Sequence, residues 1–136
     1  MYAIFEHTAD IGLRVTAASI DELLIDAGRG LASLLVENPN AVRPLVERRL
    51  RIDGAELDYL LFDWLTELLY VFSTERLILT HFAIRRDENG FEATARGEPM
   101  DPKRHHMEHE VKAITYHDLT CHPTANGYEA EVIVDI

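Results

Sequence analysis

Leu77-Ile78-Leu79-Thr80-His81-Phe82-Ala83-Ile84-Arg85-Arg86, then Asn89-Gly90, then Phe91 to Gly97, is the stretch that decides the fold. Both arms are rich in strand-forming residues. Asn-Gly between two such arms is the strongest short-range hairpin signal, because a tight hairpin turn wants positive φ at both turn residues. The same signal recurs at Asn126-Gly127, between Val111 to Leu119 and Tyr128 to Ile136. Two local hairpins predict antiparallel pairing rather than a parallel sheet.

Working outward, two helical patterns stand before the first hairpin. Ser19 with Glu22 is a capping-box signature. Leu23, Leu24, Ala27, Leu31, Leu34 and Leu35 follow at helical spacing, so a helix is expected from about Ile20 to Val36. Gly28 and Gly30 each cost that helix roughly 1 kcal/mol against alanine, which suggests close packing on a sheet. Asp53 with Glu56 repeats the start signal. The broad stripe Leu57, Leu60, Leu61, Trp64, Leu65, Leu68, Leu69 and Phe72 predicts a second helix from about Ala55 to Ser73. Trp64 and Tyr70 read as core. Short strands are expected at Tyr2 to Phe5, Ile11 to Thr16 and Val46 to Asp53, with a turn or bulge at His7 to Asp10. The loop Glu98 to Glu108 holds Pro99 and Pro102, which block regular structure. The reading is one α+β domain, residues 1–136, with two long helices packed on a mostly antiparallel sheet.

Composition narrows the function. The chain has 136 residues, 47% of them hydrophobic, enough for one core. Thirteen basic residues face 24 acidic ones, a net charge of -11. Such a surface repels phosphate backbones, so direct nucleic-acid binding is not expected, and a basic partner protein or bound cations suit it better. The single cysteine, Cys121, can form no internal disulfide, which fits a reduced, cytoplasmic setting. Met1 to Val15 carries Glu6, His7 and Asp10 among its apolar positions and is no signal peptide. No apolar run is long enough to span a membrane. There is no phosphate-binding glycine loop and no nucleophile elbow around Ser19, Ser33 or Ser73.

Two polar stretches remain. Glu110-Val111-Lys112-Ala113-Ile114-Thr115-Tyr116-His117 reads as an extended segment. By alternation Lys112, Ile114 and Tyr116 take one face, and Val111, Ala113, Thr115 and His117 the other. A half-solvated strand with chance polar residues would account for it equally well. His105, His106 and His109 lie just before. His105 and His109 have the i, i+4 spacing that lets two histidines share a helix face, but Pro102 argues against a helix, and a solvated loop is the plainer reading.

Together with Phe5-Glu6-His7-Thr8-Ala9-Asp10-Ile11-Gly12 and the closing Val134-Asp135-Ile136, the Glu110 to His117 stretch resembles the signature of the archease family, over the whole chain and in the right order. The resemblance implies a divalent-cation site at Asp10, Asp135 and the terminal carboxylate of Ile136. Calcium is the first expectation, with magnesium, manganese and zinc as the other candidates. It marks His7, His105, Glu110, Lys112, Thr115 and His117 as functional or partner-facing. It implies a non-catalytic, metal-binding partner of an RtcB-type RNA ligase, promoting the ligase's guanylylation and turnover in tRNA splicing and RNA repair. The loop Arg104 to His109 is richer in histidine than the family pattern, which leaves the metal open. The competing reading is a metal-dependent hydrolase using Asp10 and the loop histidines.

Overall fold

Ile11, Leu13 and Val15 point inward from strand β2 (Asp10–Ala17), and Ala130, Val132 and Val134 do the same from β8 (Gly127–Asp135). The two strands pair antiparallel, with Ile11 opposite Val134, Leu13 opposite Val132 and Val15 opposite Ala130. Alternation on both strands thereby makes one continuous apolar face. The computed structural model that shows this describes residues 1–7 and 10–136, the side chain of His7 excepted.

The first sheet is completed by β1 (Tyr2–His7) beside β2, and by β6 (Ala113–Ile114) and β7 (Thr120–Thr124), both paired with β8. A second sheet holds β3 (Val46–Asp53), β5 (Gly90–Pro99) and β4 (Leu77–Asp87), with β5 in the middle. The expected sheet is therefore two sheets, antiparallel throughout the described residues, with the two helices packed on them.

Helix α1 (Ile20–Leu35) starts where the capping box places it: Ser19 Oγ accepts the Glu22 N–H at 3.2 Å. It lies against both sheets, and its glycines are the contact points. A Cβ on Gly30 would stand 2.6 Å from Leu13 Cδ1 on the first sheet. A Cβ on Gly28 would stand 2.8 Å from the Phe82 ring on the second. Helix α2 (Leu57–Glu75) buries Leu60, Leu61, Trp64, Leu65, Leu68, Leu69 and Phe72. The Trp64 indole N–H donates to the Leu24 carbonyl of α1 at 2.8 Å, and its ring meets Phe82 and Phe91 edge-on. A buried Trp that reaches a carbonyl satisfies its one polar atom.

Tyr70, read as core, instead stands 60% exposed on α2, while Trp64 is buried as expected. Three further expectations need correction. Asp53 caps nothing: it ends β3, its carboxylate takes the Arg51 guanidinium at 2.9 Å, and α2 starts two residues later than Ala55, behind Glu56 with no side-chain cap. Both hairpins turn at the Asn-Gly pairs, but only the glycines have positive φ, 144° at Gly90 and 150° at Gly127. A Cβ there would strike the Ile52 or the Ala17 carbonyl oxygen at 2.1 Å, so glycine is required by approach as well as by φ.

The third correction is larger. Val111 to Leu119 is not one strand; only Ala113–Ile114 pairs, and the first arm of the second hairpin is β7. The buried residues are Val111 and Ile114, three apart, so alternation fails. Tyr116 turns away to stack on Phe62, and a tight turn follows, with Leu119 N–H donating to the Tyr116 carbonyl and Asp118 at φ 51°. The expected turn at His7 to Asp10 centres on Thr8 and Ala9, outside the described residues; His7 and Asp10 themselves are register partners. No helix among the described residues is long and apolar enough to cross a membrane.

Candidate functional site

Asp135, near the end of β8, has Asp10 opposite it on β2 and Ala113 opposite it on β6. Directly opposed residues of an antiparallel pair present their side chains to the same face. Asp10 and Asp135 therefore bring two half-buried carboxylates together. That face is the one carrying Gly12 and Ile133, with the Phe5 ring laid over Gly12, not the face packed on α1.

The Lys112 N–H donates to the Asp135 carbonyl at 2.8 Å, extending the β6 ladder by one bond. The Lys112 side chain is exposed, and among the described residues no carboxylate lies within ion-pair distance of its ammonium. Thr115 pins the segment: its N–H and Oγ1–H both donate to the Ile133 carbonyl, at 3.1 and 2.8 Å, and Oγ1 accepts from His117 N–H at 3.2 Å. His117 is exposed at the tip of the turn, 3.3 Å from an Asp118 carboxylate oxygen. Ile136 follows Asp135 and packs partly on the core. The side chain of His7 lies outside the described residues.

Glu110 is exposed and lines a cleft of about 430 Å³ between the end of α2 and the loop before Val111, with Arg76, Met107 and His109. That loop is held by α1: Glu108 and His109 N–H donate to the Leu35 and Leu34 carbonyls, and Glu37 N–H donates to His106 O. Carbonyls that a helix end leaves without partners are satisfied this way.

His105 is not a solvated histidine. It is 2% exposed. Asp101 N–H donates to its Nδ1 at 2.9 Å, so Nε2 carries the proton and donates to Glu98 Oε1 at 2.7 Å. Glu98, 3% exposed, also receives Arg43 Nε at 3.0 Å and Arg104. Burial pushes the Glu98 carboxyl up, but the hydrogen bonds from Arg104, His105 and Arg43 outweigh it and hold it down at about 2. Sequence reading missed this cluster. No local pattern marks Glu98 as buried, and its partners come from two separate segments, Arg43 from one and Arg104 with His105 from the other.

The chemistry follows from what is and is not gathered. The segment around His105 to His109 is not helical, so the i, i+4 pair is not formed. Among the described residues no three His, Cys, Asp or Glu side chains converge on a metal-sized point. The ligand set a hydrolase would need from Asp10 and the loop histidines is therefore not assembled. Burial, and secondarily Asp58, pushes the Cys121 thiol up to about 11, so it is no nucleophile near neutral pH. Asp10 and Asp135 offer oxygen donors only, which fit a hard divalent cation rather than a soft one.

Residues 2–136 match the model of the Archease protein family (MTH1598/TM1083). The protein archease of Methanosarcina mazei is 34% identical over 99% of this chain and 95% of its own. That of Methanopyrus kandleri is 36% identical over 96% of each. The solution structure of Methanobacterium thermoautotrophicum protein 1598 is similar with a TM-score of 0.83, at 28% identity, covering 99% of this chain and 98% of that one. The crystal structure of an archease, described as a possible chaperone, from Thermotoga maritima shares the fold with a TM-score of 0.70, at 24% identity, covering 100% of this chain and 98% of that one. A family model spanning the chain, with relatives a third identical over nearly their full length, shows that this chain belongs to the archease family.

Proposed function

We propose that the protein is a cytoplasmic, metal-binding accessory to an RtcB-type RNA ligase. It promotes the ligase's guanylylation and turnover in tRNA splicing and RNA repair, and performs no catalysis of its own. The observation that carries this reading is the register pair Asp10–Asp135, with Lys112 bonded through its backbone to Asp135. Asp10, Asp135 and the carboxylate of Ile136 would hold the cation, calcium foremost. A divalent ion there supplies positive charge beside an exposed lysine, a combination suited to phosphate groups in the ligase's nucleotide pocket. Glu110, Thr115, His117, His7 and His105 belong to the same reading. Thr115 and His105 serve it by holding the segments in place; Glu110 and His117 are exposed to a partner. The net charge of -11 supports a protein partner over direct RNA binding. The description of the Thermotoga relative as a possible chaperone also speaks for a protein partner.

The test is an RNA-joining assay with ligase kept far below substrate, with and without this protein, in calcium, magnesium or manganese. The expected result is multiple turnover and guanylylated ligase only when the protein is present. Joining that is unchanged by the protein, or phosphoester hydrolysis by the protein alone, overturns the reading.

A further inference from the structure

Two tyrosines stand in solvent near the start of α2. Tyr59 is 52% exposed and Tyr116 is 59% exposed. Neither is loose. The Tyr116 ring stacks on Phe62 with centroids 3.9 Å apart and planes 13° apart, and Tyr59 meets Tyr116 edge-on at 6.1 Å. The turn that bonds Leu119 N–H to the Tyr116 carbonyl holds that residue from the other side. Three rings from two elements thus form one preorganised platform, whose side chains have little freedom left to lose on binding.

Charge decides what such a platform takes. Between Arg51 and Arg76 the chain has no lysine or arginine, and after Lys112 it has none. Asp58 adjoins Tyr59, Asp63 adjoins Phe62, and Asp118 follows Tyr116 by two; Asp63 and Asp118 are exposed. Ring faces attract cations, and carboxylates beside them add to that field. A guanidinium satisfies both at once, stacking on a ring while bonding a carboxylate through its fork. A nucleic acid would bring phosphates into the same negative field.

We infer that Tyr59, Phe62 and Tyr116, flanked by Asp58, Asp63 and Asp118, form a docking platform for an arginine-bearing segment of a protein partner. The inference rests on the reading above only in taking the partner to be a protein. The platform is continuous with the Lys112 to His117 segment, so a partner seated on it meets that segment as well.

The experiment titrates two probes into the wild-type protein and into Tyr59→Ser, Tyr116→Ser and Asp63→Lys. One probe is a fluorescent peptide of alternating arginine and glycine; the other is a purified RtcB-type ligase. Tyr59 and Asp63 are exposed and do not hold the turn, and melting curves verify that each variant is folded. The expected result is that each substitution weakens the peptide roughly five- to tenfold, and that a lysine version of the peptide binds wild type more weakly than the arginine one. A peptide that binds wild type no better than the variants overturns the platform, whatever the ligase does. A tyrosine-dependent peptide with a ligase that does not bind wild type supports the platform and removes the ligase reading instead.

Discussion

Glu98 and His105 share a buried hydrogen bond of 2.7 Å whose direction is set, because the Asp101 N–H already occupies the other ring nitrogen. The imidazole is thus the neutral donor, and the charge on Glu98 is balanced by Arg43 and Arg104. A carboxylate taken out of water persists only when hydrogen-bonded on this scale.

The first prediction concerns acid. A carboxyl held down at about 2 when folded contributes stability that is full above its ordinary range near 4.5 and is lost as the pH falls toward 2. Melting temperature against pH is expected to drop over that window in wild type and to drop less in Glu98→Gln. Glu98→Ala strands Arg104 and His105 and is expected to cost about 3 kcal/mol at neutral pH, read by urea denaturation.

Gly30→Ala is expected to destabilise, although alanine is the better helix former by roughly 1 kcal/mol. The added methyl meets Leu13 at 2.6 Å, and overpacking of this kind costs about 1–3 kcal/mol. A melting temperature equal to or above wild type would show that α1 can shift off the first sheet.

Cation binding is expected to link the ends of β2 and β8. Without cation, Asp135→Asn relieves like-charge repulsion and leaves the melting temperature unchanged or slightly raised. With calcium at about 100 times its dissociation constant, wild type gains about 2.7 kcal/mol by mass action. Asp10→Asn, Asp135→Asn and a chain extended beyond Ile136 should each gain markedly less. Equal calcium shifts in all four proteins would place the cation elsewhere.

Lys112→Ala is expected to leave the melting temperature within about 2 °C of wild type, since its side chain is exposed and only its backbone bonds Asp135. Ligase activation should fall at least about tenfold if the ammonium meets the partner's phosphates. A large stability loss would make Lys112 a structural residue.

Local signals were legible and distant ones were not. Ser19 with Glu22, the α2 stripe and the two Asn-Gly turns each act within a few residues, and each appears where the residues call for it. The segment from Val111 to Leu119 has the composition of a strand, yet packing of Val111, Ile114 and Tyr116 against α2 and the core overrode that propensity. Asp10 and Asp135 could be named from the family's motifs, but their adjacency is a matter of register, which no local pattern states. The burial of His105 is hidden for a related reason: it depends on Glu98, which is itself held in place by Arg43 from a distant segment and by Arg104.

The order of assembly follows from where β2 finds its partner. The β4–β5 hairpin closes over a tight turn, and β3 joins it across α2, with Arg51 and Asp87 36 residues apart. The β2–β8 ladder, which includes an Arg14–Glu131 bond across 117 residues, waits for nearly the whole polypeptide. Contacts so distant form late, because loop closure must be met before they return anything. The two carboxylates therefore come together only in a finished molecule. On the proposed reading, a chain that lacks β8 can bury much of the second sheet and still lack the carboxylate pair, so cation binding would report the pairing of β2 with β8 rather than mere presence of the polypeptide.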